Sequence, residues 1–187
     1  MKRFFAVMVA AAAVTIGSSA AFAQMMKGDP MVGGAAMYPS KTIVANAMNS
    51  ADHTTLVAAV KAAGLVDTLN GKGPFTVFAP TNDAFAQLPA GAVDMLLKPE
   101  NKAMLARVLT YHVVAGNWDS KGLAKLIKKG NGQARLKTVS GGTLTASMDG
   151  NNIVLRDEKG GTATVTIADV YQSNGVIHVV NAVLMPN

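Results

Sequence analysis

Apolar residues recur at helical spacing through the first half of this chain and at alternate positions through most of the second. Ile43, Ala47 and Met48 begin the helical half. Leu56, Val57 and Val60 continue it on one face of a segment from His53 to Ala63, and Gly64 stands where that helix ends. The run FTVFAP (Phe75–Pro80), enriched in Phe and Val, predicts a strand that stops at its proline. Thr81, Asn82 and Asp83 then offer side-chain oxygens to orphaned helical N–H groups, so a helix restarts through Phe85. Pro89 closes it. Val93, Leu96 and Leu97 mark another helix, and Pro99 opens a third whose inward positions are Leu105, Val108 and Leu109. Tyr111–Val114 predicts a strand, and Ser120–Lys129 an amphipathic helix with Leu123, Leu126 and Ile127 inward.

From Gln133 the period becomes two. Leu136–Val139, Leu144–Met148, Ile153–Leu155 and Thr162–Tyr171 predict strands, separated by Gly141-Gly142, Asp149-Gly150 and Gly160-Gly161. Ile177–Leu184 is apolar on both faces and is expected at the centre of the sheet, with Asn181 as its one polar interruption, a satisfied core amide. Helices followed by a mostly antiparallel β half give an α+β domain. No internal repeat appears.

Three segments share a pattern of apolar and turn residues: FTVFAPTNDAF (Phe75–Phe85), LTYHVV (Leu109–Val114) and SNGVIHVVNAVLMP (Ser173–Pro186). Together, in this order and spacing, they resemble the fasciclin domain, a secreted adhesion module, over roughly residues 40–187. The resemblance implies a β-wedge with a helical layer along one side. It also implies that Tyr111 and His112 pack between helix and sheet, His112 bonding to polar groups near Thr81 and Asp83. Phe85, Asn174, Gly175, His178 and Asn181 complete the structural motif. In animal relatives an Asp-Ile pair before the last Asn-Gly segment, and the Tyr-His region, are implicated in integrin binding. Asp169-Val170 stands at the matching place, without the preceding Glu-Pro, so Asp169, Val170, Tyr111 and His112 are adhesion candidates. The alternative, that Asp169 turns a strand end and Val170 packs, stays open.

The termini add context. Lys2 and Arg3, the apolar run Phe4–Gly17 and Ala21-Phe22-Ala23 read as a signal peptide over 1–23. That apolar run falls short of the ~20 residues a membrane span needs, so no integral anchor is expected. Its removal lowers the net charge from +6 to +4, with 15 Lys+Arg against 11 Asp+Glu. Residues 24–40 carry Gly, Pro and Met without periodicity and are expected to form a flexible leader before a domain over 41–187. Met25, Met26, Met31 and Met37 give the leader an alternative role as a soft Cu(I) site. With no cysteine in the chain, a disulfide and a lipid-bearing thiol are excluded. The expected location is the periplasm or the medium.

Catalytic signatures are missing. There is no GxSxG elbow, Gly71-Lys72-Gly73 is too short for a phosphate loop, and Asp157-Glu158 sits in a hairpin turn expected to be solvated. His53, His112 and His178 match no metal spacing, and the last two lie in apolar runs as core histidines. Neither metal nor cofactor is expected, and the chain is read as non-enzymatic. Between Ser120 and Met148 stand six cations and no acid: Lys121, Lys125, Lys128, Lys129, Arg135 and Lys137. Lys121, Lys125 and Lys128 share one helical face, a candidate for polyanions. The expected partner is a cell-surface or matrix protein or glycan, anionic where this stripe takes part. Nucleic acid is not expected, because no recognition motif accompanies the charge. The remaining alternative is a periplasmic small-ligand or copper-binding protein.

Overall fold

The computed structural model describes residues 29–187. The expected signal peptide and residues 24–28, with Met25 and Met26, lie outside the described residues. A small hairpin opens the fold, β1 (Met31–Val32) and β2 (Ala35–Ala36), turned at Gly33 and Gly34. This corrects the expectation of a flexible leader to residue 40. Val32 and Met37 are 4% and 2% exposed and belong to the main core, so burial holds the segment down without periodicity.

A helical layer follows: α1 (Ile43–Ala47), a 3-10 turn (Ala51–His53), α2 (Thr54–Ala63) and α3 (Val66–Leu69). Thr42 caps α1 by accepting from the Ala45 N–H, and Gly64 ends α2 at φ 72°, a left-handed conformation that glycine adopts without steric cost. The strand β3 (Phe75–Pro80) leads through the Thr81 cap into α4 (Asn82–Ala86), followed by α5 (Ala92–Leu97) and α6 (Lys102–Tyr111). Tyr111 is thus the last residue of a helix and not the start of a strand. His112 is its C-cap, and β4 (Val113–Ala115) begins one residue later. Local pattern missed this because the helix runs into β4 without a glycine or proline stop.

Helix α7 (Ser120–Lys129) has the expected bounds, and β5 (Gln133–Lys137), β6 (Thr143–Asp149), β7 (Asn152–Arg156) and β8 (Thr162–Gln172) form a meander. The last strand, β9 (Gly175–Val180), is buried at all six positions and stops before Asn181, earlier than expected. Its neighbours are β3, in parallel, and β8, giving the order β4-β3-β9-β8-β7-β6-β5.

Strand β8 bends the sheet. Register shifts fall between Val165 and Ile167 and between Ile167 and Val170, and Asp169 lies inside the second with φ 61°. Bulges of this kind curl a strand and re-aim its side chains. The curl brings the two ends of the sheet together, where Val114 and Thr138 make an isolated antiparallel bridge. Two cores result. Val77, Ala79, Ile177 and Val179 face the helices, whereas Phe78, Val176 and Val180 look into the wedge, which Leu123 and Ile127 of α7 fill.

Candidate functional site

Helix α7 carries its charge outward because its first turn is fixed by four neighbours. Asp119 caps it, accepting from the Gly122 N–H at 2.7 Å. Asp169, from the β8 bulge, accepts from the Ser120 N–H at 2.6 Å and from its hydroxyl at 2.5 Å. The Trp118 N–H donates to the Thr76 hydroxyl at 2.9 Å, and the Trp118 carbonyl accepts from His178 Nε2 at 2.8 Å. Both carboxylates sit at the positive end of the helix dipole, and Lys128 and Lys129 at the negative end, which is the stabilising arrangement. Leu123 and Ile127 are buried, while Lys121, Lys125, Lys128 and Lys129 are exposed.

Arg135 and Lys137 are exposed on β5, next to α7. Among the described residues the single ion pair is Lys98 with Glu100, so no carboxylate neutralises any of the six cations. Beside them the sheet stays open. From the Val114–Thr138 bridge the chain turns away towards Trp118, leaving a cleft of about 430 Å³ between β4, β5 and α7. Its walls include Val114, Trp118, Leu126, Arg135, Lys137 and Val139.

The adhesion candidates occupy different ground. Tyr111, His112 and Val170 are 0%, 3% and 1% exposed and have no surface to offer a partner. Asp169 is half-buried and spends its carboxylate on Ser120. Tyr111 donates its hydroxyl to the Thr143 carbonyl at 2.8 Å and accepts from the Glu158 N–H at 3.1 Å, and burial pushes its pKa up to about 12. His112 does not reach Thr81 or Asp83, contrary to expectation. Its Nδ1 donates to the Val108 carbonyl at 2.8 Å, one turn back, and its Nε2 accepts from the Leu184 N–H at 3.0 Å. That pairing needs a neutral ring, and burial lowers the pKa to about 4.

His178 carries the opposite tautomer. Nε2 donates to Trp118, Nδ1 accepts from the Asp169 N–H at 3.4 Å, and the ring stacks on Phe78 at 5.6 Å. Burial lowers its pKa as well. His53 is buried too, a position the sequence reading passed over. Its Nδ1 meets the Ser50 hydroxyl at 2.8 Å, and its Nε2 approaches the Ala79 backbone without completing a hydrogen bond.

The family-model comparison matches the fasciclin domain over residues 51–186. This chain belongs to the fasciclin domain family. It is 47% identical to Protein sll1483 of Synechocystis sp. across 83% of this chain and 79% of that protein. It is 40% identical to the transforming growth factor-beta-induced protein ig-h3 of Sus scrofa across 70% of this chain and 17% of that much longer protein. A solved FAS1 domain pair from the insect cell adhesion molecule fasciclin I superposes with TM-score 0.71 at 19% identity, covering 79% of this chain and 51% of the pair.

The fasciclin motif residues turn out to be fasteners. Thr81 caps α4, accepting from the Ala84 N–H at 3.2 Å, and Phe85 is buried against the helical layer, while Asp83 is exposed. It is Asn82 that reaches across, accepting from the Thr55 N–H at 3.0 Å and donating to the Ala51 carbonyl at 2.8 Å. Asn174 accepts from the Ile43 N–H at 3.0 Å and donates to the Leu69 and Gly71 carbonyls at 2.7 and 3.0 Å. Beside it, a Cβ on Gly175 would lie 1.9 Å from the Phe75 carbonyl oxygen, so only glycine fits there. Asn181 is exposed and not a core amide. It closes the end of β9 by accepting from the Thr164 N–H at 2.8 Å.

One further expectation is corrected. Asp157 is 7% exposed and not in open solvent, and it accepts from the Gly161 and Met185 N–H groups at 2.6 and 2.9 Å. Of the leader methionines described, Met31 is exposed on the hairpin and Met37 lies in the core. Among the described residues no cluster of three or more His, Asp or Glu is placed to hold a metal ion. A cavity of about 40 Å³ between the helical layer and β3 is lined by aliphatic side chains such as Val44, Leu56 and Ile177. Ligand sites for drug-sized molecules run to hundreds of Å³.

Proposed function

We propose that this fasciclin domain is a secreted, non-catalytic adhesion module, located in the periplasm or outside the cell, that meets an anionic cell-surface or matrix partner through the face formed by α7 and β5. The observation that carries this reading is the exposure of Lys121, Lys125, Lys128, Lys129, Arg135 and Lys137 with no carboxylate among the described residues pairing any of them. Family membership supports adhesion, since the solved neighbour belongs to an insect cell adhesion molecule. The burial of His112 and His178 argues against general acid–base work by either, because each of their ring nitrogens is already engaged. On this reading Tyr111, His112, Asp169 and Val170 position the face and do not touch the partner.

The test is binding of the protein to intact cells and to immobilised anionic glycans from low to high salt. Saturable binding is expected, weakening as salt rises towards ~0.5 M, where the Debye length is well under 10 Å. Absence of binding to every cell and surface would overturn the reading.

A further inference from the structure

We infer that the cleft beside α7 takes a sugar ring of a linear polyuronate, stacked on Trp118, with the carboxylates of neighbouring sugars on the surrounding cations. This deepens the proposed function and rests on its reading that the α7–β5 face meets an anionic partner.

The indole supplies the first argument. Trp118 lines the cleft, half-buried, and is held at three points. Its N–H donates to the Thr76 hydroxyl at 2.9 Å, its carbonyl accepts from His178 Nε2 at 2.8 Å, and its Nε1–H donates to the Ala115 carbonyl at 3.1 Å. A Cβ on Gly116 would lie 2.8 Å from Nε1, so the bare backbone there is what lets the indole settle. An indole has one donor and no acceptor, and here the donor is spent. What the ring offers a ligand is an apolar face, fixed in advance, which lowers the ordering cost of binding. That face suits the C–H face of a pyranose, which asks no hydrogen bond of it.

Charge supplies the second. The cleft of about 430 Å³ lies within the ~300–1,000 Å³ range of small-ligand sites, and its charged lining residues, Arg135 and Lys137, are both cations. On the helical wall, turning about 100° per residue puts Lys129 about 60° and Lys125 about 100° round α7 from Leu126. The buried Leu123 and Ile127 lie the other way round, so cations stand on both sides of the cleft. The complementary ligand has an apolar ring face with negative charge repeated to either side, which is a chain of uronic acids. An acidic peptide such as polyglutamate repeats the charge without a ring, and an aromatic acid has the ring with charge at one end. Single-stranded nucleic acid has both, but it stacks successive bases on successive aromatic side chains, and this cleft holds one.

Trp118 is the single tryptophan of the chain, so its emission reports the cleft directly. The protein is titrated with hexagalacturonate, with end-capped hexaglutamate of the same charge, with uncharged maltohexaose and with hexathymidylate. Hexagalacturonate is expected to shift Trp118 emission saturably and to bind at least tenfold more tightly than the other three. Its lead over hexaglutamate should persist at ~0.5 M salt, where exposed charge pairs are screened. By calorimetry, Trp118→Ala is expected to weaken hexagalacturonate at least tenfold and to leave hexaglutamate unchanged, while Trp118→Phe, which keeps a ring face, should retain most of the binding. Arg135→Gln with Lys137→Gln alters two exposed side chains and leaves the ring in place. That pair is expected to weaken hexagalacturonate at least tenfold with an unchanged melt, so the test does not depend on the folding of Trp118→Ala.

Equal binding of hexaglutamate, or hexagalacturonate binding without a change in Trp118 emission, would overturn the inference in favour of charge alone. Equal binding of maltohexaose would overturn the part given to the cations, and tighter binding of hexathymidylate would overturn the inference in favour of nucleic acid. If the protein binds cells while hexagalacturonate leaves Trp118 unchanged, the cleft inference falls and adhesion stands. If hexagalacturonate binds as expected and no cell or surface does, the adhesion reading falls instead and the cleft stands as a sugar site.

Discussion

Asp169 holds Ser120 by two hydrogen bonds, accepting from its backbone N–H at 2.6 Å and its hydroxyl at 2.5 Å. One residue in a bulge of β8 thereby sets the direction in which a helix from another part of the chain presents its lysines. Asp169→Ala is expected to cost about 1–3 kcal/mol, since it orphans a half-buried N–H at the start of α7 and removes a carboxylate from the positive end of the dipole. Asp169→Asn keeps an acceptor and tolerates the φ of 61°, so its loss should be smaller. Thermal melts and amide exchange at Ser120–Leu123 check both.

Acid should loosen the fold before it reaches carboxylate pKa values. The pKa of His112 falls from 6.5 to about 4 on burial, so below 6.5 the unfolded chain binds a proton that the folded chain refuses. Stability is complete above pH 6.5 and is lost progressively down to about pH 4, on the order of 3 kcal/mol from this one group. His178 and His53 are shifted in the same direction. Melts from pH 7.5 to 4 should show the loss, and His112→Gln, destabilised at pH 7.5, should show a shallower fall.

Gly175→Ala forces a Cβ to within 1.9 Å of the Phe75 carbonyl oxygen, which belongs to the neighbouring strand and has no flexible end to yield. The parallel β3–β9 pair must separate at its start, and a loss above about 3 kcal/mol is expected. Urea unfolding measures it, and a variant within 1 kcal/mol of the parent would show that the two strands can shift apart.

Met37→Ala is expected to cost about 2–4 kcal/mol, the range for removing a large buried side chain, where Met31→Ala on the exposed side should cost little. A chain shortened to begin at Ser40 should also melt lower. A copper titration comparing it with the parent therefore needs the melts alongside, since lost heat can come from lost structure.

Reversing Lys121, Lys125 and Lys128 to Glu leaves the apolar side of α7 intact, as Leu123 and Ile127 face the other way. The melt should move by only a few degrees, while binding to an anionic surface at low salt should fall at least tenfold. Unchanged binding would send the search for the contact face elsewhere on the wedge.

Much of the local architecture was legible in the sequence. Helix α7 follows from Leu123, Leu126 and Ile127 against the lysines, and the β5–β8 meander from period-two runs punctuated by Gly-Gly and Asp-Gly turns. What stayed hidden is set by distant neighbours. Gly33-Gly34 reads as linker, yet the hairpin it turns is held by core contacts of Val32 and Met37. His112 was placed in the core correctly, but its partners, the Val108 carbonyl and the Leu184 N–H, are backbone groups that no residue type announces. Asp157 looked solvated because its neighbours in sequence are polar, while Met185 lies close only in space. The Asp169–Ser120 contact spans 49 residues and carries no local signal at all.

The parallel pairing of Phe75 with Gly175 joins positions a hundred residues apart, and β9 is threaded between β3 and β8, with no edge of its own. Half of the sheet cannot close until the stretch from 175 to 184 is in hand, so the earlier strands wait with their apolar faces uncovered. Loop-closure entropy makes such an ordering slow, and it postpones commitment to the final shape. A chain wired this way stays an open thread until its last strand is available, and locks only then.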